Sequence, residues 1–491
     1  ALPDTSADKQ QALEAELSAI QKLIADRSIE TLVDLPVMQD AGIKMVMKLL
    51  SNLHTQCYLA GDKRLTLLNC AKMVHLSLRH GNTEESAHGY VLHAMHIGQI
   101  RGDYATAYAF GLLALRLNER LNDPALRAKI LMNFAWAVSI WRRPFAESFA
   151  YDEQAFRLGN ENGLFADAGY ALFNDSYFSL LASAHLDAVQ TVCVANAGFH
   201  ARVNLGRFAE APKIIAQWVR ALQGLTESPT SLSGPEFEEA EYRQTFAGHR
   251  LFEMFYFIAK LALLYTFDRY QEACAVAEEA KRVIDDYTGT IWDELRVFYH
   301  ALSLAELYPQ VSTERRGKLD EDLDTLSARL VWWAQNSPSN FQAQHLIAAA
   351  EIARARGQHT EALTLYETAV EAAARQACPR ERALAYERYA YFRQARGELE
   401  LAGLLISKAR DAYAGWGAKA KVEALAPKHR ELLGLRPDEH RSSERRSAPL
   451  DISTVAKAAR AISSEIILEN LLRRLMEIAI ENAGAERGLC L

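Results

Sequence analysis

Residues 357–369 read GQHTEALTLYETA, and residues 397–409 read GELELAGLLISKA. Aligned on their glycines, the two stretches share a frame. Ala stands at the sixth position (Ala362, Ala402), a large side chain at the tenth (Tyr366, Ile406) and Ala again at the thirteenth (Ala369, Ala409). A glycine supplies the left-handed backbone that closes one helix. A short polar turn follows, and two alanines seven residues apart fall on one face of the next helix, where small side chains admit a close antiparallel neighbour. The frame recurs as Gly102-Asp103-Tyr104-Ala105-Thr106-Ala107 with Ala114, and as Asp268-Arg269-Tyr270-Gln271-Glu272-Ala273 with Ala280. A fifth copy, Gly206-Arg207-Phe208-Ala209-Glu210-Ala211, has Trp218 where the others have Ala, so that pair must pack differently.

Outward from these copies the chain is rich in Ala, Leu, Glu, Arg and Gln, which lose little rotamer freedom in a helix. Only 13 prolines and 25 glycines interrupt 491 residues, and alternating β-type runs are scarce. The expected fold class is all-α, a solenoid of helix–turn–helix units over residues 1–435. Within it, residues 225–241 (LTESPTSLSGPEFEEAE) are turn-rich and predict a long loop. Residues 436–449 (RPDEHRSSERRSAP) read as a solvated linker, too weakly charged and too poor in aromatics for a nucleic-acid patch.

The repeat frame resembles the tetratricopeptide repeat, which implies helix pairs stacked into a right-handed superhelix. The 40-residue interval between the two clearest copies exceeds the ~34 of that family, and the other copies are irregularly spaced, so the array is degenerate.

Residues 450–491 change character. Ile452, Val455, Ala459 and Ile462 step by three, four and three, a seam suited to helix pairing and to a homodimer. A second helix would carry Ile467, Leu471, Leu475 and Ile478, and Gly488-Leu489-Cys490-Leu491 reads as the start of a strand. A strand needs a partner, so the chain is expected to be a piece of a longer protein. The Leu471–Met476 helix, the Asn482-Ala483-Gly484-Ala485 turn and Gly488-Leu489 resemble the entry to a GAF domain. Lys72–Leu78 with Gly81-Asn82, and Gly89-Tyr90-Val91 ahead of Gly102, resemble the repeat region of large bacterial multidomain sensor kinases. There a serine/threonine-kinase-like region and a STAND-type ATPase precede helical repeats, and a GAF domain and histidine kinase follow. The resemblance implies a regulatory segment that binds an inducer or a partner protein and relays the change to neighbouring domains of the same chain.

Composition narrows the chemistry. Acidic residues number 62 against 55 basic, a net charge of -7, so no field draws the chain to nucleic acid or an anionic membrane. No apolar run approaches the roughly 20 residues of a membrane helix. Six scattered cysteines without a CxxC pair fit a reducing cytoplasm. No phosphate loop, dinucleotide fingerprint, HExxH or GxSxG is present, so neither an enzyme nor a cofactor is expected. His93 and His96 share a helix face at i, i+3, yet the sequence fixes no third ligand, so no metal site is expected. Among the aromatics, Trp136, Trp141, Tyr170, Phe173 and Tyr177, with Asn174 beside them, are candidates for a ligand or peptide pocket on the concave face. Ordinary inter-helix core is the competing reading. Two functions remain: a non-catalytic sensor module, or a free-standing scaffold of tetratricopeptide type.

Overall fold

The computed structural model describes residues 5–433 apart from positions 26, 183, 285, 286 and 288. The expected linker at 436–449 and the seam of Ile452, Val455, Ala459 and Ile462 lie outside the described residues.

The described chain is an all-α helical repeat. Its first ten helices are α1 (Ser6–Ile24), α2 (Ala41–Leu59), α3 (Lys63–His80), α4 (Glu84–Arg101), α5 (Tyr104–Leu121), α6 (Pro124–Ala137), α7 (Phe145–Glu161), α8 (Phe165–Leu181), α9 (Leu186–Arg202) and α10 (Ala211–Gln223). The next ten are α11 (Glu239–Thr245), α12 (Arg250–Thr266), α13 (Tyr270–Ile284), α14 (Ile291–Leu307), α15 (Thr313–Asn336), α16 (Pro338–Ala355), α17 (His359–Arg375), α18 (Pro379–Ala395), α19 (Leu399–Trp416) and α20 (Lys419–Lys428). Among the described residues the only β pairing is two isolated bridges, Val37 with Asn82 and Gly234 with Phe237. No described helix is long and apolar enough to cross a membrane.

The turns explain the order. At all five frame copies the opening residue has left-handed backbone, with φ of 64° at Gly102 and 64° at Asp268 among them. The alanine five residues on is buried in every copy. Several turns add an aspartate that caps the next helix: Asp62 accepts from the Leu65 amide, Asp103 from Thr106 and Asp123 from Leu126. Stop signal and start signal therefore sit on adjacent residues, and the hairpins are tight.

Helices alternate between two layers. α4 packs on α6, α6 on α8, α10 on α12, α12 on α14, α14 on α16 and α16 on α18, forming an inner row. The odd-numbered helices α5, α7, α9, α13, α15, α17 and α19 pack beside these, whereas α1 packs on α3. Four frame copies join an inner helix to an outer one. The copy at Gly206 joins outer α9 to inner α10: residues Gly206–Glu210 form a 3-10 turn and Ala211 opens the helix. That shift of one helix accounts for Trp218, which points into the main core at a position where the other copies need only a small contact.

The loop expected at 225–241 is free of helix from Leu225 to Glu238, and its last three residues begin α11. Lys260 on α12 pins it by bonding the Thr230 carbonyl and the Glu239 carboxylate, each at 2.7 Å.

The inner row also turns back on itself. α10 packs against α20. Asn340 on α16 donates to the carbonyls of Ile140 and Arg143 at 2.7 and 2.9 Å, about half the repeat away in sequence. Gly289, just before α14, lies so close to α4 that an added Cβ would come within 2.3 Å of the Gln99 carbonyl oxygen. These contacts bring inner helices from both halves around one interior.

Candidate functional site

That interior is lined by aromatics. Around it stand His54, Thr55 and Tyr58 of α2, Met95 of α4, Met132, Asn133 and Trp136 of α6, and Tyr170, Phe173, Asn174 and Tyr177 of α8. Phe208 from the 3-10 turn, Leu251 and Phe255 of α12 and Trp292 of α14 complete the wall. About 700 Å³ of space free of protein atoms lies between them, part of it open to solvent. The cavity proper measures about 100 Å³, below the ~300–1,000 Å³ of drug-sized ligand sites, so only a small molecule fits without side-chain movement.

One wall is a packed aromatic sheet. Phe173 stacks on Trp292 at 6.1 Å between centroids and meets Phe255 at 5.0 Å, while Tyr177 and Phe255 each lie 4.9 Å from Trp292. Tyr58 and Trp136, edge to face at 6.1 Å, form the facing side. Polar groups are few and uncharged. Asn174 donates to Asp152 at 3.0 Å and so presents its carbonyl oxygen near Tyr177. Burial pushes the Asp152 carboxyl well above its usual range, and its second oxygen has no hydrogen-bond partner. Burial likewise pushes the Tyr58 and Tyr177 phenols far up, so both stay protonated at neutral pH. It pushes His54 down to about 3, which leaves a neutral ring. No Asp, Glu, Lys or Arg lines the space.

Five of the six residues singled out from the sequence line this cavity: Trp136, Tyr170, Phe173, Asn174 and Tyr177. Trp141 does not. It is 1% exposed, stacked on Tyr104 at 5.0 Å and on Phe341 at 5.4 Å, where it serves as core between the two halves of the repeat. The facing residues on α2, α4, α12 and α14 carry no local motif, since only folding brings helices so distant in sequence onto one interior.

A second cluster sits beside the first, at the α2–α3–α4 seam. The Nδ1 of His54 lies 3.2 Å from the Cys70 sulfur, and donor atoms of His54, Cys70 and His96 all fall within 4.8 Å of one another. His93 lies edge-on to Phe110 at 5.1 Å and is not among the three grouped donors. His54 and Cys70, on separate helices, gave no sequence signal for the cluster.

The chain matches no protein-family model and no curated protein.

Proposed function

We propose that this chain is a non-catalytic, ligand-responsive module in which the aromatic interior binds a small, uncharged, largely apolar and flat molecule. One observation carries the reading: helices from both halves of the repeat contribute rings to a single uncharged cavity. Flat rings on facing walls favour a stacked ligand, and the Asn174 carbonyl gives it one polar anchor. Because each repeat touches mainly its neighbours, a ligand gripped by α2, α6, α8, α12 and α14 would change how they pack. In the sensor-kinase setting that the sequence resembles, the change would pass to a following GAF domain and histidine kinase.

The test uses the full chain and 1-aminoanthracene as a flat apolar probe, read by energy transfer from tryptophan. Saturable binding of one probe per chain is expected, weakened at least tenfold by Thr55→Trp, which puts bulk into the space from a partly exposed position. Absence of saturable binding, or an unchanged affinity in Thr55→Trp, would remove the proposal.

A second reading, a protein-interaction scaffold, is favoured by the exposed apolar stripe of Met45, Val46 and Leu49 on α2. It predicts that Leu49→Glu, not Thr55→Trp, abolishes partner recruitment in cells.

A further inference from the structure

We propose that His54, Cys70 and His96 form a three-ligand site for one thiophilic transition-metal ion, Zn²⁺ or Cu⁺. The three side chains come from α2, α3 and α4, and are 4%, 1% and 9% exposed. Ligands around a tetrahedral Zn²⁺ with such donors stand roughly 3.3–3.6 Å apart. The His54 Nδ1 to Cys70 Sγ distance is 3.2 Å, and the other donor pairs lie within 4.8 Å, which a rotation of one side chain would close.

A second, independent observation points to a ligand. The Nε2 of His96 is buried and makes no hydrogen bond within the protein. Leaving such a group unpaired is unfavourable, and no neighbour in the fold offsets it. Nearby His88, by contrast, has its Nδ1 bonded to the Ser51 hydroxyl at 2.8 Å.

The donor set selects the ion. Two imidazoles and a thiol, with no carboxylate among them, suit borderline and soft metals and reject Mg²⁺ and Ca²⁺. With three protein ligands, a fourth position remains on Zn²⁺, whereas Cu⁺ is satisfied by three and leaves no net charge with a thiolate. Access exists on two sides. His54 borders the aromatic interior, and His96 borders a smaller cleft with Thr66 and Gln99. The inference stands whether or not the aromatic cavity binds a ligand.

The experiment loads the full chain, stripped with chelator under reducing conditions, with Co²⁺ as a spectroscopic stand-in for Zn²⁺. A parallel arm offers Cu⁺ in competition with bicinchoninate. One equivalent should bind, with a thiolate-to-cobalt charge-transfer band or with stoichiometric withdrawal of Cu⁺ from the chelator. Cys70→Ser should abolish the band and His96→Ala should weaken binding at least tenfold, while His93→Ala and Cys193→Ser bind as the parent does. X-ray absorption of the metal-loaded parent chain needs no variant and should show one sulfur and two imidazole nitrogens. Failure of both metals to bind stoichiometrically would overturn the site. So would a band that survives Cys70→Ser, or a shell with no sulfur or with several.

Discussion

The indole N–H of Trp333 donates to the hydroxyl of Tyr104 at 2.8 Å, joining α15 to α5 across 229 positions of sequence. The neighbouring Trp332 donates to the Gly102 carbonyl at 3.2 Å, so the left-handed turn of one frame copy is a docking point for the other half of the repeat. Tyr104→Phe keeps the stack on Trp141 and deletes only the hydrogen bond. A loss of about 1 kcal/mol in urea unfolding is expected, plus the cost of the unpaired Trp333 N–H. A loss near zero would mean that the closure is held by ring packing alone.

Trp141 and Trp136 should separate stability from binding. Trp141→Ala removes a fully buried ring between Tyr104 and Phe341, and a cost of roughly 3–5 kcal/mol is expected. Trp136 is only partly buried and lines the cavity, so Trp136→Ala should unfold at a midpoint closer to the parent's yet bind 1-aminoanthracene several-fold more weakly. The check is a pair of denaturation curves and probe titrations. Weaker binding by folded Trp141→Ala than by Trp136→Ala would reverse the assignment.

How much of this could be read from the sequence follows from where the signals were local. Gly357 and Gly397 announce their turns because glycine is the usual left-handed residue, and Ala362 and Ala402 mark the close helix faces after them. Asn122, Asn204 and Ala377 occupy the same left-handed backbone, with φ of 57°, 50° and 53°, but carry no glycine to betray them. The array therefore looked more irregular than it is. In the cavity, Tyr170, Phe173, Asn174 and Tyr177 were visible as one helix face. Phe255 and Trp292 were not, because contact between α8, α12 and α14 depends on how many helices complete a turn of the row, which no short window encodes.

Ala377 offers a direct test of that account. A β-carbon in left-handed backbone costs roughly 1–2 kcal/mol, partly offset by the extra chain entropy of glycine. Ala377→Gly should raise stability by about 0.5–1 kcal/mol in thermal or urea unfolding. A destabilised variant would mean that the Ala377 methyl makes contacts outweighing its strain.

Buried charge holds the second half together. Glu351 accepts from the Tyr366 hydroxyl, from Arg354 at 2.7 Å and from Arg388 at 2.9 Å, while Glu306 bonds both arginines. Arg388 also reaches the Tyr270 hydroxyl at 3.1 Å, so α13, α14, α16, α17 and α18 share one network. Glu351→Ala leaves Arg354 and the buried Arg388 sharing the single carboxylate of Glu306 and should cost roughly 3–5 kcal/mol. Lys318→Ala, in the exposed pair with Asp322, should leave the urea midpoint unchanged. Equal effects of the two substitutions would deny the network its role.

Glu294 should make stability depend on pH. It is fully buried on α14, and neither of its carboxyl oxygens has a hydrogen-bond partner. Burial raises its pKa from 4.5 to about 8, against a smaller opposing pull from Arg380. The folded protein therefore holds a proton that the unfolded chain releases above pH 4.5. Stability from this group is complete below that pH and is lost as pH rises toward 8, at up to ~1.4 kcal/mol per pH unit. Glu294→Gln mimics the protonated form and loses nothing over that window. Its melting temperature should exceed the parent's by a margin that widens steadily from pH 5 to pH 8. A margin constant across that range would show that Glu294 does not change its protonation between the folded and unfolded chain.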